Sequence, residues 1–258
     1  MSFKVNILGS GNLATHLAKE LYNKGHSILN VYSLHIKNAK ALASKVKSKG
    51  TDDIKSISSD ADITFLCLTD SATRSLKLGN EFKKSLIVHC SGTLDIKSIE
   101  HLSDRVGVFY PLQTFSKGVK VDWNLIPLFI ETKKVSDNKL LNSIAKQLGK
   151  EVHYCSSENR AKLHLSAVLV NNFVNHLYTL SSDYLKANNL KFDYLQSLML
   201  QTLENSLNNN PSEVQTGPAK RGDTLIMDRH LTLLKEDKEL KNIYQVLSKS
   251  ITKYHGSK

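Results

Sequence analysis

The 258 residues, 40% of them hydrophobic, are enough for one large domain or two modest ones, each with a proper core. No apolar run approaches the roughly 20 residues that span a bilayer, the N-terminus lacks a long signal-peptide-like apolar segment, and Cys67, Cys90 and Cys155 are an odd number without metal-ligand spacing, so a cytoplasmic protein with no membrane partner and no metal is expected. The net charge of +11 comes mainly from lysines scattered singly along amphipathic segments, with only five arginines and no stripe that interleaves them with aromatics. That speaks against a nucleic-acid partner and leaves a positive field suited to an anionic cofactor or substrate.

Phe3 to Leu8 is a short apolar run of strand character, and Gly9-Ser10-Gly11-Asn12-Leu13-Ala14 follows at once. Leu13, Leu17 and Leu21, with Ala14 and Ala18 beside them, then recur at helical spacing. Strand, tight glycine turn and helix form the phosphate-binding start of a Rossmann unit. Gly9 serves the turn and Gly11 the close approach of a pyrophosphate. Ala14 lets helix and strand pack, and the free N–H groups at the helix start face the anion. The bland reading of the same residues is a tight turn without a ligand.

Ile28 to Ser33 reads as the second strand, and 38–49 as a lysine-rich helix with Ala39, Leu42, Ala43 and Val46 inward. Ile54 and Ile57 mark a short third strand. Asp62 to Leu68 has little alternation, as expected of a parallel strand covered on both faces. Further strands are read at Leu86 to Cys90, Val106 to Tyr110 and Leu128 to Glu131. A helix over Asn138 to Leu148 precedes a last strand near Val152 to Cys155. Cys67 and Cys90 fall in apolar strand-like runs and read as core. Such alternation indicates a doubly wound α/β sheet.

The texture then changes. Nine of the twelve glycines lie at or before Gly149, and none lies between Lys150 and Thr216. Glu158 to Ala187 is one long helical pattern, introduced by Ser156-Ser157 as an N-cap region. Phe192 to Leu207, Asp223 to Leu234 and Leu240 to Tyr254 are three more. The expected organisation is a Rossmann domain with a mostly parallel sheet over 1–155 and an all-α domain over 156–258.

A NAD site usually has an acidic residue about 20 residues beyond the glycines, to take the ribose hydroxyls. Here the second strand ends Val31-Tyr32-Ser33-Leu34-His35-Ile36-Lys37, and the first Asp after the glycines is Asp52. With no carboxylate to repel a 2′-phosphate, Ser33, His35 and Lys37 are candidates to hold one. NADP is therefore expected in preference to NAD. Leu68-Thr69-Asp70-Ser71 and His89-Cys90-Ser91-Gly92-Thr93 fall at carboxyl ends of expected parallel strands, where such sheets bind ligands. Leu68, Thr69, Asp70 and Ser91 join the cofactor-binding candidates, and Thr93 supplies a further hydroxyl. Asp70 remains open between helix cap and ligand contact.

These motifs carry a resemblance over nearly the whole chain. With Tyr110-Pro111-Leu112-Gln113-Thr114-Phe115, with His164 and Asn172, and with Thr216-Gly217-Pro218-Ala219-Lys220-Arg221-Gly222-Asp223, the sequence resembles the Rossmann-like oxidoreductases that carry a C-terminal DUF2520 domain. These are similar in turn to pyrroline-5-carboxylate reductases and F420-dependent NADP reductases. The resemblance implies an NADP-type cofactor and a mostly helical, dimer-forming second domain. It names no substrate. Two positions depart from the pattern: Leu34 stands where members often carry arginine, and Tyr110 where they often carry histidine.

The expected chemistry lies between the domains. His164 is the candidate proton donor, because imidazole exchanges protons near neutrality. Asn172 is a candidate orienting amide, about 80° round and roughly 12 Å along a regular helix from His164. Gln113 and Thr114 follow a strand and are placed toward the nicotinamide. Arg221 offers a planar fork for a carboxylate or phosphate, with Asp223 beside it; a plain Arg221–Asp223 salt bridge is the alternative. His164 and Asn172 have an equally plain alternative as packing residues. The functional reading is an NADP-dependent oxidoreductase acting on a small carbonyl, imine or alcohol. A non-catalytic NADP(H)-binding or redox-sensing protein is the alternative.

Overall fold

Four residues in a row at Val5–Leu8, the polar Asn6 among them, are fully buried in strand β1 (Lys4–Leu8), because the strand is covered on both faces. The computed structural model describes residues 1–256. Its first half is an eight-stranded sheet of order β3-β2-β1-β4-β5-β6-β7-β8. The other strands are β2 (Ser27–Tyr32), β3 (Lys49–Thr51), β4 (Ile63–Leu66), β5 (Leu86–His89), β6 (Arg105–Pro111), β7 (Leu128–Thr132) and β8 (Val152–Tyr154). The pairs from β3 through to β6 are parallel, β7 runs antiparallel to β6, and β8 is parallel to β7. The connection reverses direction between β1 and β4, and in open α/β sheets ligands bind in the crevice beyond such a switch point.

One face of the sheet is covered by α1 (Asn12–Asn23), α2 (Ile36–Ala43) and α4 (Val135–Leu148), which bury Leu17, Leu21, Leu42, Leu141 and Ile144 against Val5, Ile7 and Phe65. The other face is closed by α3 (Asp70–Ser75) and by single 3-10 turns that supply Phe82 and Ile99. The third strand lies at Lys49–Thr51, and Ile54–Ser56 is a 3-10 turn instead. Gly50 explains the strand's place: a Cβ there would meet the backbone of Ala39 at 2.8 Å, so only glycine lets α2 lie this close. Ile57 is still buried, as a loop residue.

The helices that follow are α5 (Ser157–Ala167), a π-helical stretch Val168–Phe173, α6 (Val174–Ala187), α7 (Gln196–Asn208), α8 (Pro211–Val214), α9 (Pro218–Arg221), α10 (Thr224–Leu233) and α11 (Lys238–His255). The π stretch replaces the regular turns expected there, so α-helical spacing does not carry from His164 to Asn172. The chain divides into two compact units, Met1–Val170 and Asn171–Lys258, so α5 is part of the first. Among the described residues of the second unit, only Ala219 and Leu234 are buried. No helix of the described residues is long and apolar enough to cross a membrane, and no cluster of metal-ligating side chains occurs among them.

Candidate functional site

The glycine turn lies at the carboxyl end of β1. Gly9 has φ +127°, which side chains rarely adopt. A Cβ there would also sit 2.2 Å from the Cys67 carbonyl oxygen at the end of β4. Beside Gly11 the space is open, since a Cβ would meet nothing within 4 Å. Gly11 caps α1 without a side chain, and no residue of that first turn is acidic. The N–H groups of Asn12 and Leu13 are thus at a helix start with its positive dipole end and no competing carboxylate. These features fit a pyrophosphate.

At the end of β2, buried Ser33 accepts a hydrogen bond from the Ser10 hydroxyl at 2.8 Å. That bond ties the glycine turn to the next loop. His35 is the N-cap of α2 and makes no capping bond with its side chain, and the exposed Lys37 lies in that first turn. Leu34 is 78% exposed. No carboxylate occurs from Ser33 to Lys40, and the residues present fit a phosphate better than a ribose diol.

The loops after β4 and β5 are joined by hydroxyls. Thr69, not Asp70, caps α3 by accepting the Ala72 N–H. Asp70 takes the Thr93 hydroxyl at 2.6 Å, a bridge between the two loops. Ser91 Oγ accepts the N–H groups of Thr93 and Leu94, each at 3.1 Å. Leu68 packs against the core from part-buried ground. Cys67 and Cys90, side by side, have sulfurs 3.8 Å apart. Burial drives the pKa of His89 down from 6.5 to about 4, with the Arg160 charge adding to it. Its Nδ1 accepts the Ser91 N–H at 3.2 Å, so the ring's proton belongs on Nε2, which is buried with no partner among the described residues.

At the ends of β5 and β6 three residues meet. Tyr110 Oη lies 2.9 Å from His164 Nδ1, with the rings edge to face at 5.9 Å. Gly92 passes directly beneath the imidazole: a Cβ there would be 2.4 Å from Nδ1. Tyr110 is buried and His164 half-buried. Burial raises the Tyr110 pKa, against the lowering influence of Arg160, so the phenol keeps its proton. The pairing was not legible in the sequence, because 54 residues separate its members.

Arg160 also escaped the sequence reading. Its fully buried guanidinium donates to Glu131 at 2.8 Å, to Ser157 Oγ at 3.1 Å and to the Leu94 carbonyl. A signal did exist: Arg160 stands one helical turn before His164, on the same face. Gln113 Oε1 accepts the Thr114 N–H, and both lie exposed in the loop after β6. That loop is fastened to α1 through His16 and the Ser116 carbonyl.

The remaining candidates belong to the second unit. Asp223 caps α10 through the Ile226 N–H at 3.1 Å, and no ion pair joins it to the exposed Arg221 among the described residues. Gly217 and Gly222 both have positive φ, in keeping with a fixed backbone course through Thr216–Asp223. Asn172 is exposed within the π stretch.

Residues 4–92 match the family described as NADP oxidoreductase coenzyme F420-dependent, and residues 126–251 match the domain of unknown function DUF2520. Among solved structures, the chain is similar to "putative NADP oxidoreductase BF3122" from Bacteroides fragilis, at 38% identity and TM-score 0.91 over 98% of each chain. Protein TM1727 from Thermotoga maritima matches at 21% identity and TM-score 0.78, over 96% of this chain and 98% of that one. A reductive aminase from Aspergillus terreus in complex with NADPH and ethyl-5-oxohexanoate matches at 12% identity and TM-score 0.72, over 98% of this chain and 95% of that one. The last two show the fold alone. Curated protein sequences give no match.

Proposed function

The chain belongs to the family of the Bacteroides fragilis protein, oxidoreductases that join an NADP-type Rossmann domain to DUF2520, and from that premise we propose that it reduces a small carbonyl or imine with NADPH, using His164 as proton donor. The observation that carries this reading is the Tyr110–His164 pair, 2.9 Å apart over Gly92 at the ends of β5 and β6. The carboxyl end of the sheet is where the reactive part of a dinucleotide is expected.

Asn12 and Leu13 hold the pyrophosphate by their N–H groups, and His35 and Lys37 hold the 2′-phosphate. The cofactor, when bound, supplies the hydride. What the protein must add is a proton for the developing alkoxide or amine. Tyr110, kept as a neutral phenol by burial, lies 2.9 Å from His164 Nδ1. With the ring protonated, Nδ1–H donates to the phenol oxygen and Nε2–H is the proton delivered, which leaves a neutral imidazole that keeps its proton on Nδ1. Ser91, Thr93 and Asp70 hold the loops in place beneath. Asn172 remains the candidate orienting amide, and Arg221 and Asp223 remain candidates for substrate binding. Arg221 is the strongest of them, as an exposed fork without an ion-pair partner among the described residues.

The second unit's exposed apolar side chains support a homodimer formed through it. Leu198, Leu200 and Leu203 on α7 are 64%, 68% and 57% exposed. A helix with apolar residues on most sides requires burial.

A non-catalytic NADP(H)-binding or redox-sensing protein is the alternative reading; only sensing by thiol chemistry would fall to Cys67 and Cys90. The hydrogen bond from Cys67 and burial push the Cys90 thiol well up, which disfavours the reactive thiolate. The test is NADPH oxidation followed against ketones, imines, keto acids and ketone–amine mixtures. Turnover by the wild type, with a loss of about 100-fold in His164→Ala and unchanged NADPH affinity, is the expected result. NADPH binding with equal turnover in both proteins would contradict the assignment.

A further inference from the structure

The proton-delivering pair stands on two separate pieces of chain: His164 is on α5, and the Gly92 backbone beneath it is in the loop after β5. Two side chains of α5, Arg160 and Ser157, join these pieces. Arg160 Nη1 donates to Glu131 Oε2 at 2.8 Å, and Nη2 donates both to Ser157 Oγ at 3.1 Å and to the Leu94 carbonyl. Ser157 completes the tie, giving its hydroxyl proton to Glu131 Oε2 at 2.7 Å and accepting the Ile96 N–H at 3.0 Å. Arg160 is fully buried, whereas Glu131, on β7, keeps a partly exposed carboxylate at 20%. The start of α5, strand β7 and the segment two residues beyond Gly92 are thus held together by Arg160 with Ser157.

We infer that Arg160, clamped by Glu131, is a positioning residue that sets His164 in register with Tyr110 over Gly92. Its hydrogen bonds go to neither residue of the pair. Its reach is geometric: the fork fixes α5 one turn below His164 and fixes Leu94 just beyond Gly92, so neither surface can slide past the other. This rests on the reading of Tyr110 and His164 as the proton-delivering pair. The requirement is for arginine specifically. A lysine would keep the charge, but as a point donor it cannot serve acceptors in the plane of a fork.

The experiment observes the His164 imidazole nitrogens by NMR in the whole protein labelled with nitrogen-15 histidine. Tyr110→Phe is expected to move the Nδ1 signal, which tests the pair itself. Arg160→Lys and Glu131→Gln are expected to move it in the same direction, while Lys162→Ala, an exposed neighbour on α5, leaves it in place. Should Arg160→Lys fail to fold, Glu131→Gln decides alone, since its shape is nearly unchanged. A His164 signal that stays at the wild-type position in both Arg160→Lys and Glu131→Gln, while Tyr110→Phe moves it, overturns the positioning role and leaves the pair standing. A signal unmoved by Tyr110→Phe shows that the pair does not form in solution, and then the functional reading fails together with the positioning role. Replacing both charges with Arg160→Met and Glu131→Met separates positioning from mere stability. The double variant is expected to regain much of its melting temperature, as buried ion pairs replaced by apolar groups often do, with the Nδ1 signal still displaced. Recovery of the signal along with the melting temperature contradicts the proposal.

Discussion

A side chain at Gly92 would meet His164, and His89 is fully buried. A methyl group at position 92 would lie 2.4 Å from His164 Nδ1, so Gly92→Ala must push the imidazole away from Tyr110. The expected result is a fall in turnover of about 100-fold with NADPH affinity retained, measured by steady-state kinetics beside a binding titration. His89 predicts a pH effect. Its pKa falls from 6.5 to about 4 on folding, so the unfolded chain binds more protons between those values and stability falls as pH falls. The loss amounts to about 3 kcal/mol across the window, by the linkage relation. Urea unfolding at pH 7 and pH 4 measures it, and His89→Asn is expected to lose less stability on acidification than the wild type. The sequence showed His164 as a candidate but not its partner. A contact between residues far apart in sequence depends on strand order, and no local pattern encodes that. Tyr110 stands where members of the family often carry histidine, and its hydroxyl lies 2.9 Å from His164 Nδ1.

At the scale of the elements, the glycine turn and the helices after it were the most legible feature. They rest on local constraints: positive φ at Gly9, a buried Ala14, and an uncapped start to α1. The third strand was misplaced onto Ile54 and Ile57 because apolar residues were taken as its mark, whereas the Lys49–Thr51 edge strand is specified by Gly50 packing under α2. The π stretch at 168–173 left no mark in the sequence, since apolar periodicity over six residues does not separate π from α. The first turn of α2 supports a prediction about the cofactor. With Lys37 there and no acid between Glu20 and Asp52, NADPH is expected to bind at least about tenfold more tightly than NADH, a difference of about 1.4 kcal/mol. Lys37→Glu should narrow the ratio. Calorimetric titration with both nucleotides decides it, and equal affinities would remove the role given to α2.

For the whole molecule, the contrast lies between a first unit with two extensive buried clusters and a second with two buried residues among those described. Helices that leave Tyr194 and Leu207 at 70% and 76% exposure do not form a core by themselves. Light scattering at micromolar concentration is expected to return twice the mass of the chain, 28.9 kDa; a clean monomer would refute the dimer. The change from glycine-rich α/β texture to glycine-poor helices was visible in the sequence. The sequence reading set the boundary at 155, and the compact units divide after Val170. The reason is Arg160 and Ser157, whose hydrogen bonds fix α5 to the sheet. The central claim is that His164 faces the hydride-carrying end of NADP. The most direct measurement follows the His164 nitrogen signals during titration with NADP and, separately, with the same nucleotide lacking its nicotinamide ring. The account predicts that NADP displaces the Nε2 signal and the truncated nucleotide does not. A His164 signal indifferent to saturating NADP would contradict it.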